Sequence, residues 1–207
     1  MVRAHPFSSK GLTTVEKTKL AIIIGSTREG RFGSRVANWF AGQAQAHEAF
    51  EVTVIDLLDF EMPVAQAAGH PRMGQFPASL NALSDQLTSA DAFVFVTPEY
   101  NHGYPASLKS ALDAFYTPWL AKPAAFVSYG GALGGVRAIE QLRQVVAELH
   151  MADIRESVSI PFIFGAFNED GDLKDENLGK AAQALLTQLA WWSKTLAAGR
   201  QSVPYPN

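Results

Sequence analysis

The sequence has no cysteine, and this absence excludes several kinds of chemistry. Without a thiol the chain can form no disulfide, no thiolate metal site and no cysteine nucleophile. It also lacks the G-x-S-x-G turn of serine hydrolases and the H-E-x-x-H pair of zinc peptidases. We therefore expect neither a metal site nor a nucleophilic catalytic side chain.

Long apolar runs and an excess of positive charge are also missing. No stretch approaches the ~18 apolar residues of a membrane helix, and the first residues lack the apolar core of a secretory signal. The formal net charge is -3 and the isoelectric point is about 5.9, which gives no electrostatic reason to expect nucleic acid or anionic lipid. We expect a cytoplasmic protein that binds neither nucleic acid nor membranes.

The chain has the length of one sizeable domain. Of its 207 residues, 47% are hydrophobic and 18% are charged, which fits a single globular domain with a large core. Residues 1–17 are polar and have no regular periodicity, so we predict a flexible N-terminal extension there. Residues 18–207 are predicted to form the domain.

Strand-like and helix-like patterns alternate along that domain. The predicted strands are Lys19–Gly25, Glu51–Leu57, Asp91–Thr97, Ala124–Tyr129 and a segment within Ile154–Phe164. The predicted helices are Ser34–Ala46, Pro77–Ala90, Pro105–Tyr116, Gly135–His150 and Glu176–Ala198. This alternation predicts an α/β fold, a doubly wound five-stranded parallel sheet between two layers of helices. Ligands of such folds bind beyond the carboxyl ends of the strands.

Three predicted loops end at that edge of the sheet. They are Gly25–Ser34, Thr97–Tyr104 and Ser128–Gly135. The first delivers glycine, serine and arginine to a helix N-terminus, where free backbone N–H groups and the helix dipole favour an anion, with Arg28 or Arg31 adding charge. The alternative is that its glycines only turn the chain.

The first loop departs from the two common nucleotide motifs. Arg31 and Phe32 stand where a P-loop needs lysine and serine or threonine, so a nucleotide-hydrolysing P-loop is not expected. The loop also lacks the G-x-G-x-x-G of dinucleotide-binding folds. A terminal monophosphate fits the remaining pattern.

The other two loops have features of a site for a flat ligand. The second exposes Glu99, Tyr100, Asn101 and His102, which can stack against a heteroaromatic ring and bond to its edge, although a simple polar turn is the alternative. His102 is either a solvated loop residue or a residue for acceptor binding or proton delivery. The third loop has four glycines within six residues, consistent with close backbone approach to a flat ligand or with a plain turn.

The three loops together resemble one known family. The segments GSTREGRFGSRVANW, TPEYNHGYPASLKSALD and SYGGALGGVRAIEQLR, in this order and spacing, are similar to the NAD(P)H-dependent FMN reductases, flavodoxin-like proteins that include quinone, azo-dye and chromate reductases. The resemblance spans residues 19–195. It implies strand order 2-1-3-4-5, bound FMN, NADPH or NADH as co-substrate, and assembly as a homodimer or homotetramer.

The resemblance also implies which residues bind the cofactor. The FMN phosphate would be held by Ser26, Arg28, Arg31, Phe32, Gly33 and Ser34. The flavin ring would be lined by Pro98, Glu99, Tyr100, Asn101, Ser128, Gly130 and Gly131. Many relatives have serine and asparagine where this chain has Arg31 and Gly33, so charge would replace side-chain hydrogen bonds there.

The implied activity is hydride transfer from NAD(P)H to FMN N5 and then, by a ping-pong mechanism, to a quinone, azo, flavin or metal-oxyanion acceptor. The alternatives are a flavodoxin-type electron carrier, against which the arginines of the first loop argue, and a flavin-binding regulatory module. A subunit interface is expected near the third predicted helix, beside the pair Lys109 and Asp113. Its apolar contacts would come from Phe115, Tyr116, Pro118 and Trp119.

Overall fold

A computed structural model of the protein describes residues 17–65 and 69–206. The predicted N-terminal extension therefore lies outside the described residues, apart from Lys17. A five-stranded parallel sheet of order β2-β1-β3-β4-β5 forms the centre of the molecule, as the sequence predicts. The strands are β1 (Thr18–Ile24), β2 (Phe50–Asp56), β3 (Ala92–Pro98), β4 (Pro123–Tyr129) and β5 (Ala152–Ile160).

Five α-helices cover the two faces of the sheet. They are α1 (Gly33–Gln45), α2 (Asn81–Ser89), α3 (Ala106–Ala114), α4 (Val136–Glu148) and α5 (Glu176–Ser202). Helices α1 and α5 pack on one face, and α2, α3 and α4 pack on the other. Alternate residues of β1 serve the two faces: Leu20, Ile22 and Ile24 contact the first layer, while Ala21 and Ile23 contact the second.

The inner strands β3 and β4 explain why helices cover both faces of the sheet. Every residue of β3 and of β4 is buried, and their near-continuous apolar sequences fit strands that water reaches on neither side. Trp119 closes one face against Phe93, with ring centroids 4.9 Å apart, and its indole N–H donates to the carbonyls of Leu112 and Phe115. A buried indole with its donor satisfied fixes this core in one arrangement.

That packing contradicts part of the predicted subunit interface. Phe115, Pro118 and Trp119 are all buried within their own chain, so they cannot supply contacts to another subunit. Tyr116 alone of the four keeps partial exposure. The apolar residues of this segment face the core of their own chain and not another subunit.

Element boundaries follow the predictions with local differences. Strand β5 starts at Ala152 and ends at Ile160, immediately before Pro161, which has no N–H to continue the ladder. Val136 is 40% exposed because it is the first residue of α4. Helix α5 continues to Ser202, beyond the predicted end at Ala198. None of the described helices is long and apolar enough to cross a membrane.

Candidate functional site

The N-terminus of α1 is open at the carboxyl edge of the sheet. The loop after β1 enters the helix through Phe32, which makes no side-chain cap, and no acidic residue lies in the first turn. The first N–H groups of the helix therefore have no side-chain cap, and they form the positive end of the helix dipole. Arg28 is exposed on the same loop. This end of the site favours an anion.

The N-terminus of α4, by contrast, already holds a carboxylate. Glu99, just after β3, accepts the backbone N–H of Arg137 at 3.2 Å and the guanidinium Nε–H of Arg137 at 2.5 Å. Burial would raise the pKa of Glu99, but the hydrogen bonds and charge of Arg137 outweigh burial and hold this pKa below its ordinary value. At α4 the carboxylate of Glu99 therefore already occupies a backbone N–H that an external anion would use, whereas the helix end at α1 has no side-chain cap.

Arg31 has a partner within the chain. Its guanidinium Nη2 lies 2.5 Å from Asp56 Oδ2, at the end of β2, so the ion pair ties the first loop to the edge of the sheet. Its Nε is buried and has no partner within the described part of the chain. Arg31 therefore offers the site one unused N–H rather than a free charge.

Tyr129, at the end of β4, holds a second unused polar atom close to the start of α1. Its hydroxyl is buried and unpaired among the described residues, and a Cβ built on Gly33 would lie 3.1 Å from it. The same Cβ would lie 2.8 Å from Ile24 Cγ2, so a side chain at position 33 would not fit without a shift. Burial raises the pKa of Tyr129 well above its ordinary value, so the hydroxyl keeps its proton and can donate.

A hydrogen bond joins the first two loops. Ser26 Oγ lies 2.9 Å from Tyr100 Oη and also accepts the backbone N–H of Arg28 at 3.3 Å. The Arg28 guanidinium lies over the Tyr100 ring, 5.8 Å from its centroid. Ser26 and Tyr100 thus hold the first loop, predicted to bind a phosphate, against the second loop, predicted to bind a flat ring.

The second loop turns back at its tip. Tyr100 and Gly103 exchange two backbone hydrogen bonds of 2.8 and 3.0 Å, and the two residues between them have positive φ, 50° at Asn101 and 70° at His102. Two left-handed residues in succession are typical of a type I′ turn. The turn presents both side chains to solvent.

The third loop uses its glycines for two different purposes. Gly134 and Gly135 have φ values of 60° and 90°, and a Cβ on Gly135 would lie 2.8 Å from Ser128 Cβ, so packing against the sheet requires them. The Ser128 hydroxyl is buried and donates to the Gly134 carbonyl at 2.7 Å. Gly131 has open space around its Cα, which leaves room for a ligand.

The second and third loops enclose a groove of about 290 Å³. It is lined by Glu99, Asn101, His102, Gly131, Ala132, Leu133, Gly134, Gly135 and Arg137. The structure thus brings Glu99, Asn101 and Gly131 together, as the sequence predicts. The side chains of Glu99 and Ser128 are committed to other parts of the chain, so any contact they make with a ligand would be secondary to those bonds.

Sequence reasoning missed three residues of this site: Asp56, Tyr129 and Arg137. The one available signal was position, because Asp56 and Tyr129 end strands at the carboxyl edge and Arg137 lies in the first turn of α4. Within residues 17–65 and 69–206 no cluster of three or more histidine, aspartate and glutamate side chains could hold a metal ion.

The chain is similar in sequence to a known family and to several of its members. The model of the NADPH-dependent FMN reductase family matches residues 18–165. An NAD(P)H-dependent FMN reductase of Schizosaccharomyces pombe is 39% identical over 136 residues, 64% of this chain and 68% of that protein. A quinone reductase of Escherichia coli is 33% identical over 141 residues, 65% of this chain and 72% of that protein.

One similar solved structure supports the fold. The flavoenzyme NAD(P)H:(acceptor) oxidoreductase FerB of Paracoccus denitrificans superimposes with a TM-score of 0.68 at 22% identity. The alignment covers 86% of this chain and 98% of that chain.

The Glu99–Arg137 pair gives a pH-dependent prediction. Glu99→Gln should lower the free energy of unfolding by about 1–3 kcal/mol at pH 7, because charge-assisted hydrogen bonds to the start of α4 are lost. The folded pKa is lower than the unfolded one, so this stabilisation is complete above pH 4.5 and is lost as pH falls through the lowered value. Denaturant unfolding of both proteins from pH 7 to pH 3 measures the difference.

The matched control is Glu140→Gln on the same helix. Glu140 lies 3.3 Å from Arg143 and is exposed, so its loss should cost less than about 0.5 kcal/mol. Equal effects of the two substitutions, or a Glu99→Gln effect that is unchanged at pH 3, would contradict the assignment.

Proposed function

Because the chain belongs to the NADPH-dependent FMN reductase family, we propose that it binds FMN at the carboxyl edge of its sheet and catalyses the reduction of small acceptors by NADPH or NADH. Quinones are the favoured acceptor class, followed by azo compounds, free flavin and metal oxyanions. The observation that best supports the proposal is the contrast between the open N-terminus of α1 and the carboxylate-capped N-terminus of α4. This contrast supports the start of α1 as the position for the phosphate of FMN.

The residues at the α1 end fit a terminal phosphate. The open N–H groups of Gly33 and Ser34 and the guanidinium of Arg28 would donate to its oxygens. Arg31 Nε and Tyr129 Oη, which have no partner among residues 17–65 and 69–206, would gain acceptors from the same group or from waters around it. Ser26 and Phe32 would complete the pocket, with the Ser26 hydroxyl shared with Tyr100.

The flavin ring would lie toward the groove between the second and third loops. Tyr100 and Asn101 would line one side of it, with Pro98 buried behind them at the end of β3. Gly130 and Gly131 would approach it on the other side, where a Cβ on Gly131 would meet no atom within 4 Å. Glu99 and Ser128 would position the residues around the ring and would not contact it themselves. Glu99 fixes the start of α4, and Ser128 fixes the Gly134 carbonyl.

FMN, when bound, accepts a hydride from NADPH or NADH at N5 and passes two electrons to an acceptor that takes the place of the nicotinamide. A quinone that receives a hydride and one proton becomes a hydroquinone. The chain would bind first the nicotinamide and then the acceptor at the same position, one after the other. This order of binding is a ping-pong mechanism. Because Asn101, His102 and Gly131 on the groove are exposed, solvent can deliver the proton.

The visible absorption spectrum of the protein loaded with FMN tests the proposal directly. Under anaerobic conditions, NADPH should bleach the flavin bands and a simple benzoquinone should restore them. Bands that persist under NADPH and bleach only with dithionite would contradict a reductase. A protein that takes up no FMN would contradict the cofactor assignment for this site.

Arg28→Ala tests the phosphate end of the site. Loss of a charge-assisted contact should raise the dissociation constant of FMN about ten- to a hundredfold, equivalent to about 1.5–3 kcal/mol. Fluorescence titration of FMN with the apoprotein measures this change. Arg35→Ala is the control, because Arg35 bonds the Asn168 carbonyl at 2.9 Å and lies over Phe167, 4.6 Å from the ring centroid. An unchanged FMN affinity in Arg28→Ala would place the phosphate elsewhere.

We further propose that the protein is a homodimer or homotetramer with its contact beside α3. Lys109 and Asp113 form an ion pair of 2.5 Å on the outer side of this helix. A groove of about 540 Å³ runs from α3 to Pro63 and the fully exposed Val64. Light scattering of the FMN-loaded protein should give a multiple of 22.4 kDa. A monomer with full FMN occupancy would exclude this assembly.

A further inference from the structure

The segment after β5, which the sequence pattern did not assign to the site, is bonded to the third loop. Phe162 and Ile163 donate their backbone N–H groups to the carbonyls of Gly131 and Gly130, at 3.0 and 3.1 Å. The side chain of Ile163 is buried in the core beneath α1 and α5. The segment is therefore fixed to the third loop, and Gly131 is part of the groove described above.

Phe162 has a backbone conformation that its side chain disfavours. Its φ and ψ are 47° and 49°, in the left-handed region, which is a genuine outlier for a bulky residue. Two backbone hydrogen bonds of 3.0 Å impose the conformation: the Phe162 N–H donates to the Gly131 carbonyl, and the Phe162 carbonyl accepts from the Gly165 N–H. Its ring is 67% exposed and gains little packing within the chain in return. Such strain is typical of residues that contact a ligand.

Two more apolar side chains are exposed, one on this segment and one on the third loop. Phe164 is 90% exposed and meets Phe32, at the start of α1, edge to face with centroids 5.3 Å apart. Leu133, on the groove itself, is 53% exposed. We call Phe162 and Phe164 the aromatic rim. The rim and Leu133 adjoin the elements to which the proposed function assigns the two ends of FMN.

We propose that the aromatic rim binds the planar ring of the electron acceptor, with Phe162 as the main specificity-determining residue. Aromatic side chains attract flat conjugated rings by stacking and by removal of apolar surface from water. The segment from Pro161 to Ala166 has no charged side chain, so the rim favours neutral fused-ring quinones over small anions. This inference rests on the proposed function.

The test compares two acceptors on the FMN-loaded protein, with NADPH as donor. Phe162→Ala should raise the KM for menadione roughly three- to tenfold, as expected for loss of one aromatic contact. The kcat/KM for ferricyanide, which has no planar ring to stack, should stay within about twofold. Phe162→Tyr should restore the menadione KM. Trp191→Ala is the control for removal of an exposed aromatic ring, because Trp191 lies on α5. This substitution should change neither the menadione KM nor the ferricyanide kcat/KM.

Phe162→Gly separates binding from folding. Glycine adopts the left-handed conformation freely, so this variant should have a higher Tm than the wild type and the same raised menadione KM. A purely structural role would not combine a gain in stability with a loss of acceptor binding.

Several outcomes would overturn the inference. Phe162→Ala should not leave the menadione KM unchanged, lower kcat/KM equally for menadione and ferricyanide, or raise only the KM for NADPH. A lower particle mass of Phe162→Ala than of the wild type would also contradict the inference, because the rim would then contact a second copy of the chain. A wild-type protein that NADPH does not reduce would instead refute the proposed function, so the two failures are distinguishable.

Discussion

Burial of both faces of the parallel sheet is the constraint on which the rest of the molecule depends. Strands β3 and β4 are wholly buried, so along their length a polar side chain reaches neither water nor a ligand; Tyr129, whose hydroxyl has no partner among the described residues, is the last residue of β4. Polar groups that interact with ligands must then lie where these strands end. Glu99, Tyr100 and Gly130 occupy those positions, and the same carboxyl edge receives the loop after β1. The site is therefore a consequence of how the core is filled.

Within that edge, charge decides which end of the site receives an anion. Helices α1 and α4 both begin there and both have a positive N-terminus. The carboxylate of Glu99 neutralises one of them, and Asp56 pairs with the guanidinium of Arg31 near the other without capping its helix. This difference between the two helix ends favours, under the proposed function, a phosphate at α1 and a flat ring toward α4. The chain sets this polarity before any ligand arrives.

Much of the fold could be predicted from the sequence, because periodic burial is a local property of the chain. The alternation of apolar strand-like runs, such as those of β3 and β4, with helix-like patterns, such as that of α4, predicted the sheet and its helices. Partners distant in sequence could not be predicted in the same way. The bond from Glu99 to Arg137 crosses 38 residues, and the pair of Arg31 with Asp56 crosses 25. The same reason explains Trp119, whose apolar character did not indicate whether it faces its own core or another subunit.

The hydrogen bond between Ser26 and Tyr100 has a consequence for the kinetics of cofactor exchange. It spans 74 residues and joins the two loops through side chains of the chain itself. The loops therefore lose little conformational freedom when a cofactor binds, since most of that entropy was lost during folding. Association should then proceed without a slow ordering step, at a rate limited mainly by encounter. Retention of the cofactor becomes a matter of its dissociation rate alone.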